Sequence, residues 1–195
     1  LDSLMLAGLD GRSAALPAER RQRGVVVVLH QMGSHGPAYF KRSPADAKPF
    51  QPECRTNALA DCPRDALVNV YDNSIHQTDR FLAHTLDWLR DRQTRYDTGF
   101  LYLSDHGESL GEMGLYLHGM PYAVAPEAQK HVPMVAWPGS LATRTGVDTR
   151  CLGRTLDAPL THDNLYHTVL GLMDVRSSTY KRALDAFAPC RTQRG

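Results

Sequence analysis

The chain has 195 residues, 42% of them hydrophobic, and a net charge of +1. This length and apolar content suit one domain with a substantial core, and the near-neutral charge gives no electrostatic case for nucleic acid. The longest apolar run, Val25 to Leu29, is far below the roughly 20 residues of a membrane span. Residues 1–15 show no charged start followed by an apolar stretch, so no signal peptide is expected.

In chain order, Leu1, Leu4, Met5 and Leu9 fall at helical spacing and predict a short helix. Val25 to Leu29 is β-branched without period-2 alternation, the pattern of a strand buried on both faces of a parallel sheet. Residues 36–63 carry five prolines and predict a long functional loop. Leu67, Val70, Tyr71, Ile75, Thr78, Phe81, Leu82, Thr85 and Leu89 form one helical stripe over residues 64–92. Gly99–Leu103 predicts a second buried strand. His131–Trp137 predicts a third, with Pro133 placing it at an edge or marking its start. Thr161–Met173 reads as a helix with Thr161 as N-cap. The alternation predicts an α/β fold, a mostly parallel central sheet flanked by helices, over a single domain 1–195.

Four cysteines are compatible with two disulfides and an oxidising compartment. Cys54 and Cys62 bracket a loop without a C-x-x-C knuckle, which favours a staple over a metal site. A Cys151–Cys190 pair would tie down the C-terminal tail; four reduced cysteines are the alternative.

In open α/β sheets ligands gather beyond the carboxyl ends of strands. Two predicted strands end there in polar signatures: "VVVVLHQMGSHGP", with His30 and His35, and "LYLSDHGESLGE", with Asp105 and His106. "YLHGMPY", with His118, follows. Carboxylate oxygen and imidazole nitrogen together suit Zn²⁺ and metal-assisted phosphoryl or sulfuryl chemistry. Adjacent strand residues point to opposite faces, so Asp105 and His106 can share an ion only if the chain turns, which Gly107 permits. Glu108 and Ser109 can then orient the ligands. Against this stand an ordinary Asx-turn at Asp105, a core role for His30 and a plain loop at His118. His76, His84, His131, His162 and His167 have weaker claims, and no G-x-S-x-G surrounds Ser34 or Ser109.

"LHQMGSHGPAY", "YDNSIHQTD", "SDHGESLGE", "YLHGMPYAVAPEAQKHVPMVAW" and "DNLYHTVLGL", in this order, resemble the periplasmic catalytic domain of the phosphoethanolamine–lipid A transferases. That family includes the mobile colistin resistance enzymes and belongs to the alkaline phosphatase/sulfatase superfamily. The resemblance covers roughly residues 1 to 192 and implies a sulfatase-like fold, incomplete at its N-terminal side. It implies Zn²⁺ with Asp105 and His106 as ligands. It gives His35 and His118 a role in binding phosphoethanolamine or a second zinc, and His30 a supporting role in substrate binding. It implies a Cys54–Cys62 disulfide and, less directly, a Cys151–Cys190 pair.

The same resemblance implies transfer of phosphoethanolamine from phosphatidylethanolamine to a lipid A phosphate, at the periplasmic face of the bacterial inner membrane. Membrane contact would come through an N-terminal region. The family's nucleophilic threonine and remaining glutamate ligand match no position in these residues, so the chain alone is expected to be inactive. A sulfatase or phosphodiesterase on the same scaffold, and a non-catalytic fragment, are the alternatives.

Overall fold

The computed structural model describes residues 1–192. Its helices are α1 Leu9–Ala14, α2 Ala18–Gln22, α3 Arg64–Arg90, α4 Glu127–Lys130, α5 Leu141–Thr145, α6 Thr149–Leu152 and α7 Asp163–Leu172. The strands are β1 Phe100–Leu103, β2 Ser109–Leu110, β3 Tyr116–Leu117 and β4 Met134–Trp137. None of these helices is long and apolar enough to cross a membrane. The chain divides into two compact units, residues 1–86 with 106–133, and residues 87–105 with the chain from Met134 onward.

The first unit is organised by α3, the helix expected over residues 64–92. Its stripe buries Leu67, Val70, Phe81 and Thr85, while Ile75, assigned to the same stripe, is exposed. Full burial of Leu67 and Val70 stabilises by about 1.5–3 kcal/mol each. Tyr39, Cys54, Leu59, Ala66 and Leu110 complete this core. The proline-rich segment is a loop, as expected, with 3-10 turns at Tyr39–Lys41, Ala45–Ala47 and Leu59–Asp61. Fully buried Asn73 on α3 ties it down: its amide accepts from Phe50 N–H at 3.0 Å and donates to Phe50 C=O at 2.9 Å and Glu53 Oε1 at 3.0 Å. A Cys54–Cys62 disulfide closes the loop's end. β2 and β3 form a short antiparallel ladder pairing Ser109 with Leu117 and Leu110 with Tyr116.

Val25–Leu29 departs from its expectation. It forms no ladder, and Val25 to Val28 are 40–82% exposed. A solid β-branched run is a strand only when neighbours satisfy its backbone, and none of the described residues pairs with it.

In the second unit β1 pairs with β4 antiparallel, Phe100 opposite Trp137 and Leu103 opposite Met134. β4 starts just after Pro133, which cannot donate to a ladder. Helices and strands are mixed as an α/β fold requires, but both ladders among the described residues are antiparallel rather than parallel. Ala142, Val147 and Phe187 form the core, with Met134, Leu152 and Leu172 packed against it. A Cys151–Cys190 disulfide joins α6 to the C-terminal segment. On α7, Thr161 is not the N-cap. His162 holds that position without a side-chain bond, and Asn164 Oδ1 reaches back to accept from Thr161 N–H at 2.8 Å.

Candidate metal centre

Three histidines from distant parts of the sequence meet in the first unit. His35 sits in the loop after Val25–Leu29. That loop is clamped by Asp2, whose carboxylate accepts from Gly33 N–H at 2.8 Å and Met32 N–H at 3.2 Å. Arg42 Nε donates to the His35 carbonyl at 2.8 Å. Gly36 must be glycine here: a Cβ would run into the Leu117 side chain and lie 2.7 Å from the Tyr39 hydroxyl.

His106 and Glu108 flank Gly107, whose N–H donates to Gln129 C=O at 3.0 Å. The φ of Gly107 is not in the left-handed region. Its role is close approach: a Cβ would overlap the Ala128 carbonyl oxygen. Gln129 also donates to Ser109 Oγ at 2.9 Å. His118 follows β3 directly after Leu117, which has φ +65°, a conformation that costs a non-glycine residue about 1–3 kcal/mol and clusters at functional sites.

The ring centroids of His35 and His118 are 4.8 Å apart, those of His106 and His118 3.8 Å, and those of His35 and His106 5.8 Å. One ligating nitrogen from each lies within 4.8 Å of the others, so the group can hold a metal ion. In every ring Nδ1 faces an acceptor: Gly36 C=O at 2.7 Å for His35, Gly107 C=O at 2.9 Å for His106, and Glu108 Oε1 at 3.1 Å for His118. Carbonyl and carboxylate oxygens cannot donate, so Nδ1 carries a proton in each ring, and Nε2 is the nitrogen left to offer a metal a lone pair. That is the arrangement metal-binding imidazoles take.

Glu108 is the hub. It is only 8% exposed and accepts from Gly36 N–H at 3.2 Å, Tyr39 O–H at 2.9 Å and His118 Nδ1. Burial pushes the Tyr39 phenol far above its ordinary pKa, and the charge and hydrogen bond of Glu108 push it further. Tyr39 therefore remains a donor to the carboxylate.

Of the residues singled out from sequence, His35, His106 and His118 come together and Glu108 orients one of them. Asp105 is exposed, closes the other compact unit, and is not in the three-histidine group. His30 is exposed and also outside the group. No local signal marks Asp2 or Gln129 as supporting residues, or pairs Tyr39 with Glu108. Their contacts span 20 to 69 positions, and only tertiary structure reveals such pairings.

The family model described as Sulfatase matches residues 10–175, and the chain belongs to that family. The chain is 45% identical over 170 residues to phosphoethanolamine transferase EptA of Salmonella typhimurium, covering 85% of this chain and 31% of that protein. It is 44% identical over 177 residues to phosphatidylethanolamine transferase Mcr-1 of Escherichia coli, covering 91% and 31%. It thus spans about a third of the length of these curated relatives. The soluble domain of lipooligosaccharide phosphoethanolamine transferase A from Neisseria meningitidis superposes with a TM-score of 0.88 at 39% identity, covering 99% of this chain and 57% of that one. The C-terminal periplasmic domain of EptC from Campylobacter jejuni gives 0.86 at 37%, covering 100% and 60%. The alkaline phosphatase/sulfatase-like fold class is thereby established.

Proposed function

We propose that this chain is part of the catalytic domain of a zinc-dependent phosphoethanolamine transferase. It would act in the periplasm on phosphatidylethanolamine as donor and a lipid A phosphate as acceptor. Identity of 43–45% over most of the chain to EptA of Salmonella typhimurium and Escherichia coli and to Mcr-1 and Mcr-2 supports the reaction class. The observation that carries the site is the convergence of His35, His106 and His118, each with Nδ1 committed to an acceptor.

Those three imidazoles would hold the Zn²⁺, a donor set this ion takes in catalytic sites. Bound there, zinc supplies Lewis acidity for a phosphoryl oxygen and lowers the pKa of a coordinated hydroxyl. Glu108 fixes the His118 ring and, through Gly36 N–H and Tyr39 O–H, its own position. A threonine hydroxyl is the nucleophile that the family resemblance implies.

Metal content and affinity test the site. One equivalent of zinc should co-purify, and His106→Ala or His118→Ala should weaken binding by at least tenfold. Asp105→Ala, measured alongside, decides whether the neighbouring carboxylate shares the ion. Failure to bind zinc, or variants that bind as the wild type does, would sink the site assignment. For the reaction, mass spectrometry of lipid A from cells expressing the whole protein should show added phosphoethanolamine; unmodified lipid A rejects it.

A further inference from the structure

The second unit contains a cavity of about 290 Å³ whose wall includes Arg144, Thr145, Asp174, Arg182 and Arg191. Arg191 is anchored on one side only. Its Nη1 donates to Asp185 Oδ2 at 3.0 Å, and the Asp185 side chain is fully buried. Asp185 is itself held by Tyr180 O–H at 2.7 Å and Phe187 N–H at 2.9 Å. The guanidinium cannot swing away from this anchor without leaving a buried charge unpaired.

The other edge of Arg191 is unserved: Nε and Nη2 are both buried and have no hydrogen-bond partner. These two N–H groups point side by side, the fork that takes two oxygens of a carboxylate or phosphate. A buried, unsatisfied donor pair is costly and calls for a partner. Gly171 makes the placement feasible, since a Cβ there would overlap the Asp185 carboxylate and lie 2.7 Å and 3.0 Å from the Arg191 terminal nitrogens. Arg182 donates through Nη2 to Ala188 C=O at 2.9 Å, and Arg144 on the same wall is exposed.

The wall carries three guanidiniums and one carboxylate, Asp174, and stays net positive when Asp185, the partner of Arg191, is counted with it. Water could satisfy either orphan donor, but it would leave that excess charge in place. We propose that the cavity binds one oxyanion of the phosphate class, received by the Nε–Nη2 edge of Arg191 and neutralised by Arg144 and Arg182. Asp174 on the same wall opposes a second anion. The site is distinct in its residues from the three-histidine group.

Calorimetric titration of the metal-chelated protein with inorganic phosphate, at ionic strength held constant with chloride, tests this. One saturable equivalent is expected. Arg191→Lys keeps a cation beside Asp185 but removes the fork, and Arg144→Gln alters only a surface charge; each should weaken binding at least tenfold. Phosphatidylcholine vesicles carrying phosphatidic acid separate the sources. Co-sedimentation lost in Arg144→Gln places the phosphate on a lipid, and no co-sedimentation assigns the site to free phosphate. Lack of saturable phosphate binding, or unchanged affinity in Arg144→Gln, overturns the proposal even if Arg191→Lys fails to fold.

Discussion

Gly107→Ala perturbs the point where the chain carrying His106 and Glu108 passes closest to its neighbour. The added Cβ would overlap the Ala128 carbonyl oxygen, and it would lie 3.0 Å from Ala128 C and 3.4 Å from Gln129 Cα. All three are backbone atoms, so no rotamer change relieves the clash. Overpacking of this kind costs about 1–3 kcal/mol. Separating the segments also strains the 3.0 Å Gly107 N–H to Gln129 C=O bond, worth about 1 kcal/mol. The sum is roughly 2–4 kcal/mol, which for a chain of this size lowers Tm by roughly 4–16 °C. Zinc affinity should fall with it, because His106 and Glu108 move together. Gly11→Ala in α1 is the control: a Cβ there meets nothing within 4 Å, so stability should rise by about 0.5–1 kcal/mol. Thermal unfolding of both variants, with zinc competition on the first, is the assay. A Gly107→Ala protein that melts within about 1 °C of wild type, well under the shift expected for 2 kcal/mol, would refute the close-approach argument.

Tyr39→Phe removes the O–H donor to Glu108 and leaves a buried carboxylate oxygen short of a partner. Urea unfolding should show a loss of about 1–3 kcal/mol. The Cys151–Cys190 bridge spans 39 positions and Cys54–Cys62 spans 8. Loop-closure entropy then predicts losses of about 4 and about 2.6 kcal/mol on paired Cys→Ser replacement, so the longer bridge should matter more in denaturant melts. Asp148 caps α6 by accepting from Arg150 N–H and Cys151 N–H. The Cys151 and Arg150 backbone bonds hold its carboxyl below the usual range. A depressed folded pKa gives stability that is present above the unfolded pKa and lost as pH falls through the folded one. The stability gap between wild type and Asp148→Asn should therefore narrow on acidification below about pH 4, as followed by Tm against pH; a gap independent of pH would contradict the capping role.

Periodicity and punctuation were enough for α3, β1, β4 and α7, because each is decided by local sequence. The apolar stripe of residues 64–92, the solid run before Ser104 and the proline ahead of Met134 act within one element. The histidines were legible as candidates for the same reason, since polar residues crowd the ends of apolar runs. Their partners were not legible. Nothing local says that Glu108 serves His118, Gly36 and Tyr39 at once, that Asp2 clamps the loop before His35, or that Gly107 passes close against Ala128. Val25–Leu29 shows the same limit from the other side: a β-branched run carries strand propensity, but a strand exists only where another backbone accepts its hydrogen bonds. Residue chemistry and local period were fixed by sequence alone. Which imidazoles converge, and which carboxylate orients one of them through Gly36 and Tyr39, were decided by chain segments tens of residues apart.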